Sequence, residues 1–201
     1  MQSSSTPGSN SRIVLAIVLS ISLLTTGCKT DWISIALADL PVLTQMALNI
    51  GTIATTLQSG RQISSADAAA IENISAQACR DLNLLQSLYN EYKSNPAAST
   101  LQTIRNVIAD LQHNLPTLLQ AAHFGNAALS LRIGAAVDLI LATVASIAAL
   151  IPQSSMRPAA QTVEHATTAI PRARDLKRQW NQQICTRDSD LDFSSVGCTV
   201  R

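Results

Sequence analysis

Aromatic side chains are scarce in this chain: two Trp, two Tyr and two Phe, 3% of 201 residues. Charged residues are few as well, at 13%, and they balance to a formal net charge of +1. Sequence-tolerant nucleic-acid binding draws on a basic surface and on aromatic stacking, so the two shortages together argue against a nucleic-acid partner. Also missing are HExxH, CxxC, CxxCH, GxSxG and any Gly-rich loop that could cradle phosphate. Di-metal bundles need Glu-x-x-His pairs on facing helices. The Glu and His that neighbour each other here, Glu164 and His165, are adjacent in sequence and cannot share a helix face. No enzyme, metal or cofactor is indicated, although a triad assembled from distant residues leaves no such trace.

What the chain has in abundance is Ala, Leu and Ile at helical spacing. Ile33, Ala36, Leu40, Leu43, Ala47, Ile50, Ala54 and Leu57 alternate three and four apart, one stripe of a first helix. Pro41 predicts a kink there, or a helix that starts near Asp39. After Gln58-Ser59-Gly60, Ser64 or Ser65 caps a second helix with Asp67 in its first turn. Its buried face reads Ile71, Ile74, Ala78, Leu82, Leu85, Tyr89 and Tyr92. Asn95-Pro96 ends it and suits the next start. A third helix carries Leu101, Ile104, Ile108, Leu111, Leu115, Leu118 and Ala122, bent or broken at Pro116. Residues 123–126 then turn the chain.

The fourth helix, residues 127–151, is the most apolar part of the chain beyond its N-terminal run, either a central core helix or a membrane span. Nine Leu, Ile and Val residues between 133 and 151 favour insertion by about 4 kcal/mol, which Asp138 offsets by about 3. Three amphipathic helices need an apolar partner, so the core reading is preferred, with Gly134, Ala135, Ala142 and Ala145 allowing close helix approach. Pro152 closes that helix. A short helix over about residues 157–169 and a last one from Pro171 to Cys185 follow, the latter with Ala173, Leu176, Trp180 and Ile184 on one face. Residues 186–201 look irregular.

The N-terminus supplies the address. Residues 1–12 are polar with one charge, Arg12, and residues 13–24 (IVLAIVLSISLL) are apolar. As a helix this run extends about 18 Å, short of the roughly 30 Å bilayer core, so it reads as a secretory signal. Leu24-Thr25-Thr26-Gly27-Cys28 resembles the lipobox of bacterial lipoproteins, with Leu one place earlier than that family's usual position. The resemblance implies cleavage before Cys28 and acyl chains on it. The mature chain would then be anchored to the cell membrane or, given Lys29, the outer membrane, facing the periplasm or exterior. An ordinary cleavage site at Ala36-Leu37-Ala38, and an uncleaved anchor with Cys28 a free thiol, stand as alternatives.

Such a compartment is oxidising, and Cys79, Cys185 and Cys198 remain, enough for one disulfide with a thiol left over. Cys185–Cys198 is the preferred pair, because it staples a segment with little core of its own. Pairing of Cys79 with either one stays open.

Polar residues that could matter are few. Asp138 lies within an apolar helix, where a carboxylate must be paired or wet. It could anchor a ligand, sit at a partly exposed edge, or salt-bridge to an arginine such as Arg105 or Arg132. Asp110 and His113 share a face of the third helix and read as a surface pair. Asp188, Asp190 and Asp192 start like a calcium loop, but Phe193 and Thr199 stand where Gly and Glu are needed. Arg174, Arg178 and Trp180 could contact a membrane or a partner; the preferred alternative docks Trp180 on the bundle and leaves the basic residues in water.

The expectation is an all-α protein: a signal peptide at 1–27, a four-helix bundle-like core at 28–152, and at 153–201 a short helical appendage and stapled tail of the same domain. The expected role is a non-enzymatic envelope scaffold contacting the bilayer through Cys28 and an envelope protein or a second copy. An apolar-ligand carrier with Asp138 as polar anchor, and a membrane-inserting or pore-forming protein, are the alternatives.

Overall fold

The computed structural model describes residues 31–152, 172–186 and 198–200. Cys28, the apolar run 13–24, the expected helix over 157–169 and the acids at 188–192 lie outside them. The described residues form five helices and no strand: α1 (Asp31–Ser59), α2 (Ser65–Ser94), α3 (Ala98–Ala121), α4 (Ala127–Ala149) and the short α5 (Ala173–Gln183). Helices α1 to α4 close a ring, each packing on its neighbours, with α4 returning to α1, and α5 lies against both α1 and α4. Short connections at 60–64, 95–97 and 122–126 make successive helices antiparallel.

Every residue of the α1 stripe is buried, and the stripe on α2 is buried from Ile71 to Tyr89. Local signals set the ends. Ser64 caps α2, its Oγ accepting from the Asp67 N–H at 3.0 Å. The Asp67 carboxylate accepts from Ser64 Oγ at 2.8 Å and from Gly125 N–H at 3.3 Å, tying together the two connections at that end. Asn126 caps α4 through Leu129 N–H. The start of α3 differs from expectation: its N-cap is Ala97, without a side-chain bond, and Asn95 serves α2 as C-cap.

Neither internal proline breaks its helix. α1 begins at Asp31, not near Asp39, and runs through Pro41; α3 runs through Pro116. Trp32, Ile33 and Ala36 are already buried before Pro41. Burying a large apolar side chain contributes about 1.5–3 kcal/mol, so the first two turns outweigh the roughly 3 kcal/mol that an internal proline costs.

α4 packs into the core, yet α1 is the more deeply buried helix. Both are long and apolar enough to cross a membrane by length and composition, and 56% of the α1 window against 44% of the α4 window is buried in the bundle. Close helix approach also lies elsewhere than expected. Ala142 and Ala145 are exposed. A Cβ on Gly134 would sit 3.8 Å from Leu119, an ordinary contact. The tight seam is between α1 and α2, where Ser75 Oγ donates to the Ala47 carbonyl at 2.7 Å. A Cβ on Gly51 there would come within 2.9 Å of Ser75 Oγ. That antiparallel register brings Trp32 to Tyr89 and Tyr92 at the other end of the seam, with ring centroids 5.7 and 5.9 Å apart.

Candidate functional site

Two polar residues on α1 determine where the C-terminal segment sits. Beside its predicted stripe, α1 buries a second one of Val42, Met46 and Ile53, and Asp39 and Asn49 lie on it, 3% and 4% exposed. The Asp39 carboxylate accepts from the Ala173 N–H in the first turn of α5, where a helix end favours an acid. Burial raises its pKa above the ordinary carboxylate value, and the Ala173 bond works the other way. Asn49 Nδ2 donates to the Cys198 carbonyl at 2.8 Å, while its Oδ1 accepts from Gln45 at 2.9 Å.

The Cys185–Cys198 disulfide is present, with Cα atoms 5.6 Å apart, and Cys79 is the free cysteine among the described residues. Cys79 is half-buried on α2, and burial pushes its thiol up, with a Ser75 hydrogen bond and the Arg80 charge opposing. Arg132 fastens the stapled end to α4, donating to the carbonyls of Ile184 at 2.8 Å and Thr186 at 2.6 Å. Leu176, Trp180, Ile184, Cys198 and Val200 all join the main core.

Trp180 is therefore not a surface aromatic. It is fully buried, and its Nε1 donates to the Cys198 carbonyl at 2.9 Å. Arg174 and Arg178 face water, and Arg178 pairs with Asp175 at 2.7 Å. A pair this exposed contributes little to stability.

Asp138 is exposed, and neither expected arginine holds it: Arg132 is engaged as above, and Arg105 donates to the Pro152 carbonyl at 2.8 Å. It sits on the rim of an open groove of about 320 Å³ between α4 and α5, lined by Ala135, Asp138, Leu139, Ala142, Gln179 and Gln183. One carboxylate and two amides over an apolar floor can receive a cationic group. They provide no nucleophile–base pair. The groove continues into the outward stripe of α4, Leu131, Ala135, Asp138, Ala142, Ala145 and Ala149, of which Ala135 is half-buried and the others exposed. Leu131 alone is 75% exposed.

Asp110 and His113 are exposed on α3, and among the described residues no group of three His, Cys, Asp or Glu side chains could hold a metal. Sequence reasoning missed Asp39 and Asn49. Their signal was spacing: Asp39, Val42, Met46, Asn49 and Ile53 alternate three and four apart just as the first stripe does. Compared with protein-family models, curated proteins and solved structures, the chain matches none.

Proposed function

We propose that the chain is a bacterial cell-envelope protein, exported by residues 1–27, held to the cell or outer membrane by acyl chains on Cys28, and acting through contact with a partner protein rather than through chemistry of its own. The observation that supports a contact role is the outward stripe of α4. A bundle helix facing water normally turns charge outward, as α2 does with Glu72, Arg80 and Glu91. The α4 stripe exposes small apolar residues around one carboxylate, Asp138, and alanines at helical spacing let a second helix approach closely.

Charge favours a different protein over a second copy. The one cation on α4 is Arg132, already bound to the Ile184 and Thr186 carbonyls. Self-pairing of α4 against α4 would bring two Asp138 carboxylates together with no other cation on either helix. A partner helix with one Lys or Arg among small apolar residues satisfies both the groove and the stripe.

Photo-crosslinking in intact cells tests this, with the reactive residue at Ala142 or Ala145 and, as control, at Leu84, an exposed leucine on α2. The expected result is one protein adduct from the α4 positions, lost on Asp138→Lys and absent at Leu84. No adduct from α4, or the same adduct from Leu84, would overturn the contact role. An adduct of two copies of this chain would replace the foreign partner with self-association.

A further inference from the structure

Resting on the anchored reading above, we infer that one end of the bundle lies on the bilayer surface: the start of α1, the connection at 95–97 and the end of α4, with Tyr92 at the lipid–water boundary and Trp32 packed against it. Three covalent steps separate Cys28 from Asp31, a reach of about 11 Å. The bilayer is therefore within that distance of this end, whereas α1, with 29 residues, carries the opposite end about 44 Å away.

The composition of this end suits such a surface. A chain with only two Trp and two Tyr gathers Trp32, Tyr89 and Tyr92 here. Of these, Tyr92 reaches the surface, and a Tyr, with an apolar body and a polar tip, favours the headgroup level. Tyr92 is half-buried, and the connection that follows it carries Ser94, Asn95, Pro96, Ala98 and Ser99, all exposed and uncharged. Of the charges flanking Tyr92 in the chain, Glu91 accepts from Thr100 Oγ1 at 2.8 Å, and the exposed Lys93 suits an anionic surface.

The rival orientation lays the basic face of α5 on the bilayer. That face carries Arg174 and Arg178, but Arg178 is paired with Asp175 and the aromatic of α5, Trp180, is turned into the core. The face therefore has nothing apolar to insert.

The two tryptophans report the difference. Trp32 is at the anchored end. Trp180 meets the Cys198 carbonyl level with Asn49, which lies about 26 Å beyond Trp32 along α1 at 1.5 Å per residue. Both are almost fully buried, so burial shields them equally.

The test uses lipidated protein purified from membranes and reconstituted into phosphatidylcholine–phosphatidylglycerol vesicles containing brominated phosphatidylcholine. Trp180→Phe leaves Trp32 as sole reporter and Trp32→Phe leaves Trp180. Trp32 should be quenched several-fold more strongly than Trp180. Benzophenone at two exposed positions, Ser99 and Gln182, checks the result without touching the core: a lipid adduct is expected from Ser99 and not from Gln182. Equal quenching, or an adduct from Gln182 alone, would overturn the end-on orientation. The intact mass of the same preparation separates the two levels. Acylated protein with an unquenched Trp32 contradicts the orientation alone, and protein without acyl chains removes the anchor and this inference with it.

Discussion

Asn49 on α1 and Trp180 on α5 donate to one acceptor, the Cys198 carbonyl, at 2.8 and 2.9 Å. Two side chains 131 positions apart thus converge on a carbonyl held in place by the Cys185–Cys198 bond, whose own separation is only 13. The staple works by keeping that acceptor in reach. Replacing both cysteines with serine should cost about 2–4 kcal/mol. It should also shift Trp180 emission to the red as the indole loses its partner, measured by chemical denaturation and fluorescence. Unchanged stability would mean that Asn49 and Trp180 hold the tail unaided.

Asp39 gives a pH signature. Its carboxyl is raised by burial, so the folded protein binds its proton more tightly than the unfolded chain does. Stability from this group is then fully present below the ordinary value of 3.8 and lost as pH rises through the raised folded value. Asp39→Asn keeps an acceptor for the Ala173 N–H and removes the buried charge. The variant should gain stability relative to the parent at pH 7 and lose that advantage near pH 3, followed by thermal unfolding. An advantage independent of pH would contradict the assignment.

Gly51 and Ser75 should couple strongly. Gly51→Ala improves helix propensity by about 1 kcal/mol, but its Cβ would meet Ser75 Oγ at 2.9 Å, and that hydroxyl is bonded to Ala47. A net loss of about 1–3 kcal/mol is expected. In a Ser75→Ala background the same change should be neutral or stabilising, because the next contact, Ser75 Cβ, lies at 3.5 Å. Additive effects in a double-mutant cycle would show that the seam opens freely.

How far the sequence disclosed this arrangement depends on polarity. The apolar spacing of α1 to α3 and Leu176, Trp180 and Ile184 of α5 located most of the core, because a three-four pattern of Ile and Leu has one physical reading. The second stripe of α1 stayed hidden, since Asp39 and Asn49 look like solvent positions until Ala173 and Cys198 arrive as partners. Gly51 carried no signal either: its need for space belongs to Ser75, on another helix. Of the candidate site, the disulfide was legible from the closeness of Cys185 and Cys198 in a segment with little core of its own. An exposed edge was one of the readings open for Asp138, and the structure takes it; what high apolarity hid is that the outer face of α4 is alanine rather than core.

Tyr89 offers a stabilising change. It is fully buried, and its hydroxyl has no hydrogen-bond partner among the described residues. Burial also pushes the phenol pKa up. Removing an unsatisfied buried hydroxyl should return about 1 kcal/mol, so Tyr89→Phe is expected to unfold at higher denaturant with the same slope. Destabilisation would show that the hydroxyl has a partner.

The most direct measurement of the central claim is the intact mass of the protein purified from bacterial membranes, with and without reductant. The account predicts residues 28–201 plus acyl chains, gaining two hydrogen atoms from the reductant as Cys185–Cys198 opens. An unacylated chain that retains residues 1–27 would contradict the anchor and, with it, the envelope setting in which the outer face of α4 is proposed to meet its partner.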